Sequence, residues 1–194
     1  MTYLRTVAPD ETPVDVALLK EHLRLSSSDQ ANVLPLYLDA AVALVETYTG
    51  RPMMRQTWRV TLPEFPERTW LPYAAPFVAI SSITYYDTAN ASQTLASSVY
   101  SVAADAEPAC LRLAYGQAWP STYDRDDAVT ITYTVGAAAA ADVPVALRQA
   151  VLLLAGHFYE NREAVLMSAI SKEIEFAATA LCAPYRLFLR APEC

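Results

Sequence analysis

The chain has 194 residues, with 14 Lys+Arg against 21 Asp+Glu for a net charge of −7, and its 54% hydrophobic content is too high for intrinsic disorder. Dropping the 12 Tyr and adding the 4 Gly brings that figure to roughly 50%, the top of the ordinary range, so the real departure is the 18% of charged residues against about 25% in typical domains. Such a surface suits contact with other protein, and the acidic balance argues against a general nucleic-acid binder, which needs clustered Lys and Arg.

Thr12-Pro13-Val14-Asp15 reads as a helix start, with Thr12 as N-cap, Pro13 at the first helical position and a carboxylate three residues after the cap. Val16, Leu19 and Leu23 then share one face, and this helix is expected over 13–25, ending near Ser26-Ser27-Ser28. A second helix is expected over 32–49, where Leu34, Leu38, Ala41, Val45 and Tyr48 step by four and three. Asn32 caps it so that Pro35 falls in the first turn, and Gly50 ends it.

The period then changes. Trp58, Val60 and Leu62 alternate with Thr57, Arg59 and Thr61, and Val129, Ile131, Tyr133 and Val135 alternate with Thr130, Thr132 and Thr134, the pattern of half-buried strands. Between them residues 78–86 form another strand whose apolar phase slips at Ser81-Ser82, the mark of a bulge. Shorter strands are expected at 99–102 and 110–113. No helical period separates these strands, so the β-rich middle, 57–135, is expected to be a small antiparallel sheet.

After an alanine run over 137–141, Asp142-Val143-Pro144 opens a helix expected over 144–162, with Leu147, Val151, Leu154 and Phe158 as its stripe. Residues 164–171 read as loop and 172–181 as a short helix, which Ala183-Pro184 breaks. The fold class is therefore α+β: a helical core with a small antiparallel β-sheet insertion between N-terminal and C-terminal helices, and an extended C-terminal tail. One domain is expected over 1–182, with the tail at 183–194.

Catalysis finds no support. His22 and His157 are the two histidines, and neither has the second His at i+4 of a zinc-protease helix. Cys110, Cys182 and Cys194 form no CxxC pair, so neither a structural zinc nor a disulfide framework is expected. No phosphate loop, dinucleotide fingerprint or GxSxG elbow occurs, and no cofactor is expected. The Asp124-Arg125-Asp126-Asp127 cluster lacks the Gly and terminal Glu of a calcium loop and reads as a solvated turn. Residues 1–10 lack the basic-then-apolar order of a signal peptide and no run approaches the roughly 18 apolar residues of a membrane span, so a soluble intracellular protein is expected.

What does point to function concerns assembly. Trp70, Tyr73, Tyr85, Tyr86, Tyr115, Trp119 and Tyr123 exceed what a single small sheet can bury, and aromatics are favoured at interfaces. The end of the chain carries Leu187-Phe188-Leu189 between Arg186 and Arg190. Exposed on a monomer this would be a sticky end; inserted into a partner it is an anchor.

The ordered set of segments resembles the head–tail connector proteins, or adaptors, of long-tailed bacteriophages and phage-like gene transfer agents. The resemblance is carried by Leu19-Lys20-Glu21-His22-Leu23-Arg24-Leu25, by the run 37–62 with Glu46-Thr47-Tyr48-Thr49-Gly50-Arg51 and Gln56-Thr57-Trp58, by Pro76 and the strand 78–87, and by Trp119-Pro120. The 129–136 strand, Val143-Pro144, His157-Phe158-Tyr159-Glu160-Asn161-Arg162-Glu163 and Ala183-Pro184-Tyr185-Arg186 complete the order, while 90–127 matches loosely. The succession, spread over nearly the whole chain, carries the likeness more than any one motif.

The resemblance implies a virion structural protein without enzymatic activity: a ring of about twelve subunits under the portal, joining the head to a stopper or tail-completion protein and passing DNA through its channel. Its location is then the head–tail interface of a virion or virus-like particle assembled in a bacterial cytoplasm. It implies that Tyr185, Arg186, Leu187, Phe188, Leu189 and Arg190 bind the portal. Acidic side chains on a channel wall would repel phosphate and let DNA pass without sticking, and Glu160, Glu163, Glu173 and Glu175 are the channel-lining candidates. A reading from another class is a small hydrolase or carbohydrate-binding accessory domain with an aromatic-lined ligand site and Glu160 or Glu163 in acid–base chemistry.

Overall fold

Asp15, not Thr12, starts the first helix. In the computed structural model, which describes residues 1–26, 32–161 and 172–187 and only the backbone of 172–176, Asp15 is extended and its Oδ1 accepts the Ala17 N–H at 3.0 Å. Thr12 instead donates its hydroxyl to the Val14 carbonyl at 2.6 Å, closing a turn that delays the helix by three residues. Helix α1 (Val16–Leu23) ends at Arg24, a left-handed C-cap with φ 56°, whose N–H reaches the carbonyls of Lys20 and Glu21. Helix α2 (Leu34–Thr49) has Val33 at its N-cap with no side-chain bond, so Asn32 is not the cap. Pro35 falls in the first turn, where no intrahelical N–H is needed, and Gly50 closes the helix at φ 66°. Leu34, Leu38, Ala41 and Val45 are buried as their spacing predicts. Thr49 replaces Tyr48 at the end of that stripe, its hydroxyl bonded back to the Val45 carbonyl at 2.7 Å.

These helices belong to a unit built from Asp10–Met54 and Ala137–Arg186. Its other members are α3 (Val145–Glu160) and α4 (Lys172–Cys182), the latter running into a 3-10 turn at Ala183–Tyr185. Helix α3 packs against α1, α2 and α4, around Leu19, Leu38, Val45, Leu147, Val151 and Cys182. At Gly156 a methyl group would lie 3.5 Å from Leu23 and 3.7 Å from His22 Nε2, ordinary contact distances. Gly in a helix interior costs about 0.8–1 kcal/mol relative to Ala, so Gly156→Ala is expected to stabilise the protein by about 0.5–1 kcal/mol, read as a higher urea midpoint. The Ala137 N–H donates to the Met53 carbonyl at 2.9 Å and Met54 bridges to Ala137. Residues 55–136 therefore leave this unit and return to it at one point.

The second unit contains Met1–Pro9, Arg55–Gly136 and, among the described residues after Arg186, Leu187. Its strands are β1 (Thr2–Val7), β2 (Gln56–Leu62), β3 (Arg68–Trp70), β4 (Phe77–Tyr86), β5 (Ser92–Thr94), β6 (Tyr100–Ala103), β7 (Cys110–Leu113) and β8 (Val129–Val135). They form two antiparallel sheets, of order β1-β2-β8-β4-β5 and β3-β7-β6. In β8 every second residue is buried, and β4 breaks register between Ile80 and Ser82, as the phase slip predicts, and also between Phe77 and Ala79. Leu111 of the smaller sheet shares a core with Val60, Ile83, Ile131 and Tyr133 of the larger. Tyr133 is fully enclosed, and its hydroxyl donates to the Pro72 carbonyl at 2.6 Å. Burial pushes that phenol's pKa up, so it stays a neutral donor. The chain is an α+β protein with four described helices, and among the described residues no helix is long and apolar enough to cross a membrane.

Candidate assembly interface

The last described residues of the chain are anchored. Tyr185 closes the 3-10 turn, and its carbonyl accepts a bond from Arg51 Nε at 3.0 Å, just past the end of α2. Arg186 is extended, with its guanidinium 5.2 Å from the centre of the Tyr48 ring, a cation–π arrangement. Leu187, expected to be exposed, is only 8% accessible. Burying a Leu is favourable by about 1.5–3 kcal/mol, which explains why this residue does not remain in water. Phe188, Leu189 and Arg190 lie outside the described residues. Of the channel candidates, Glu160 is exposed at the last position of α3. Glu173 and Glu175 fall on α4, but their side chains, like all of Glu163, lie outside the described residues.

The aromatic excess is largely absorbed within the sheet unit, because a second sheet is present where only one was expected. Trp119 stacks on Phe65 (4.8 Å between centroids, 5° between planes), and Tyr85 meets the same ring edge-on at 5.7 Å. Tyr73, strained at φ 58°, stacks on Trp58 at 4.5 Å and takes Tyr3 against its edge at 5.7 Å. Burial first, then the neighbouring Tyr3, raises the Tyr73 pKa. Tyr115 and Tyr123 are the exceptions and face water. Gly116 at φ 73° follows Tyr115, and the Gln117 N–H closes the turn onto the Ala114 carbonyl at 3.2 Å.

The acidic turn is a structural clasp. Arg125 bonds Asp127 through two nitrogens, reaches Asn90 Oδ1 at 3.1 Å and lies 3.9 Å over the Tyr86 ring. Nearby, Asp87 Oδ1 accepts the N–H groups of Ala89 and Ala91 at 3.0 Å each, while Oδ2 accepts Gln93 Nε2 at 2.8 Å. The bond from Ala91, followed by that from Gln93, holds the Asp87 carboxyl below its ordinary range. The Arg125 bond does the same for Asp127. A depressed carboxyl pKa contributes stability above the unfolded value and loses it as pH falls through the folded one. The Gln93 side-chain amide resonances are therefore expected to hold constant from neutral pH down to about pH 4, the unfolded carboxylate range, and to shift only below it. In Asp87→Ala no such titration remains.

His157 is buried in α3, with Asn161 Nδ2 3.1 Å from its Nδ1 and donating to its carbonyl at 3.1 Å. This pair closes the helix end. Cys110 and Cys182 are buried thiols whose pKa values burial raises, and among the described residues no His, Cys, Asp and Glu group could hold a metal ion.

No protein-family model and no curated protein matches the chain. Solved structures do. A chain in the neck of an empty gene transfer agent particle computed with C6 symmetry aligns at a TM-score of 0.80 and 25% identity, over 100% of this chain and 99% of that one. A chain in the virion of a native gene transfer agent particle gives the same values. The neck of a native particle computed with C12 symmetry gives 0.79 and 24%, with the same coverage. The chain shares its fold, end to end, with chains of gene transfer agent particles. Likeness to these neck chains extends through the clasp and the aromatic loops of 90–127, where the sequence motifs are weakest.

Two further features escape the sequence. Strand β1 is exposed at all six positions, so no alternation of burial announces it. Leu36 and Leu44 of α2 are in water, while a search for one apolar stripe finds only the buried side. Counting the apolar residues outside that stripe would have found them.

Proposed function

We propose that this protein is a structural head–tail connector of a tailed phage or gene transfer agent particle. It forms a homo-oligomeric ring of about twelve subunits under the portal, joins the head to the stopper or tail, and passes DNA without specific binding. The observation that carries this reading is the alignment of the whole chain, at a TM-score of 0.80, with a chain in a particle neck. Neck symmetries of C6 and C12 support a cyclic ring. In this reading the chain is not an enzyme and takes no cofactor. Its place is the neck of the particle.

Tyr185, Arg186, Leu187, Phe188, Leu189 and Arg190 bind the portal, and of these Tyr185 and Arg186 are held by Arg51 and Tyr48. Glu160, Glu163, Glu173 and Glu175 line the channel, where their charge keeps phosphate from adhering. Electron microscopy of particles made with the gene disrupted tests the role. Filled heads without tails are expected, and normally tailed particles would refute it.

A further inference from the structure

Two arginines stand side by side on the smaller sheet. Arg68 of β3 lies directly opposite Arg112 of β7, and both side chains are exposed. Their neighbours in the alternation, Thr69 and Leu111, are buried, and Leu111 belongs to the core shared with the larger sheet. The pleat therefore turns both guanidiniums to the outer face. Like charges directly opposite each other are unfavourable, and among the described residues neither arginine has a carboxylate partner, Glu67 included. Arg112 donates its Nε to Ser101 Oγ at 3.3 Å, which orients the group and leaves its terminal nitrogens for another acceptor. Two guanidiniums held this way make a seat for carboxylates.

Matching acids sit on the other side of the same unit. Ile83 of β4 is in the core and Tyr85 packs against it, so Tyr86 falls on the outer face of the larger sheet. Arg125 lies over the Tyr86 ring and is neutralised by Asp127. Asp124 and Asp126, on either side of Arg125, are exposed and without a partner among the described residues. The bond from Arg125 to Asn90 fixes this turn against the β4–β5 hairpin. Tyr123 beside it is 44% exposed, an aromatic of the kind that anchors interfaces. One outer face of the unit thus carries two unmatched positive charges, and the opposite outer face two unmatched negative ones.

We propose that Arg68 and Arg112 of one copy receive Asp124 and Asp126 of the next copy, with Tyr123 packed at the edge of the contact. This rests on the ring reading above and adds to it the surfaces that make the ring. Each patch repels its own kind, so a twofold pairing of equal faces is disfavoured. Unlike patches on opposite faces give a head-to-tail contact, which closes into a ring when the rotation fits. DNA phosphate would satisfy the arginines but leave the aspartates unmatched, and the net charge of −7 opposes its approach. A second copy satisfies both patches at once.

The test is charge exchange in assembled particles that carry the full chain. Reversing the basic patch (Arg68→Glu with Arg112→Glu) or the acidic patch (Asp124→Arg with Asp126→Arg) is expected to lower incorporation of this chain into necks about tenfold or more. All four substitutions together are expected to restore it to within about threefold of the parent, because the exchanged charges match again. Melting temperatures are expected to stay unchanged, since all four side chains are exposed in the single subunit. Incorporation of either reversal within about twofold of the parent, or no recovery in the combined variant, overturns the pairing and leaves the ring reading intact. Parent particles whose necks lack this chain overturn both. A second measurement leaves the arginines in place: in particles with Cys194→Ser, the substitutions Ser101→Cys and Asp126→Cys together are expected to give a ladder of multimers with a short bismaleimide. Each alone is expected to give none, Cys110 and Cys182 being buried. No ladder from the double variant, or a band joining either cysteine to a different protein, overturns the pairing.

Discussion

Removing residues 188–194 is expected to leave a soluble protein with an unchanged melting temperature and to abolish attachment to the portal. The cut belongs after Leu187 because that residue is itself buried. Deleting from Ala183 onward would also remove the Arg51 bond to the Tyr185 carbonyl, the Arg186 stack on Tyr48 and the burial of Leu187. That larger deletion is expected to cost about 2–4 kcal/mol in stability, most of it from the leucine. A loss of attachment in it alone would therefore confuse unfolding with lost recognition. Co-sedimentation of the shorter truncation with portal-bearing heads separates the two. Retained attachment would mean that the portal is bound elsewhere, and that the apolar end of the chain serves another purpose.

The second large effect is thermodynamic. Leu147 is fully buried on α3, in the core of the helical unit, so Leu147→Ala leaves a cavity in that core. Such replacements cost about 2–5 kcal/mol, a large share of the roughly 5–15 kcal/mol by which domains are stable. Val145→Ala, on the same helix but 70% exposed, is expected to change stability by less than about 0.5 kcal/mol. Urea titrations of the two variants beside the parent read the difference directly. A Leu147→Ala loss below about 1 kcal/mol would show that α3 is not the centre of its unit.

Much of this fold was legible because burial imposes a period. Val129, Ile131, Tyr133 and Val135 alternate strictly since one side of β8 faces the core, and α3 announces itself through Leu147 and Val151 for the same reason. Where burial imposes nothing, the sequence is silent. Strand β1 has no buried residue, and β3 and β5 are three residues long, too short for a period of two to repeat. The start of α1 was misplaced for a different reason: Thr12 and Asp15 are both competent caps, and only the hydrogen bonds actually made decide between them. The aromatic surplus was misjudged because the second sheet, which enlarges the core with Leu111, is assembled from two four-residue strands and one of three. As for the site, the apolar and basic composition of residues 185–190 suggests an anchor but does not reveal that Leu187 is already buried, because the burial of one residue imposes no period.

The bond between the Ala137 N–H and the Met53 carbonyl has a consequence for how such a chain can change. The free energy of closing a loop grows only with the logarithm of its length, and here both ends of the excursion are already joined within the helical unit. Lengthening a loop within residues 55–136 therefore adds little to the cost of that closure, whereas β2 must be kept, because β1 from the start of the chain is paired with it.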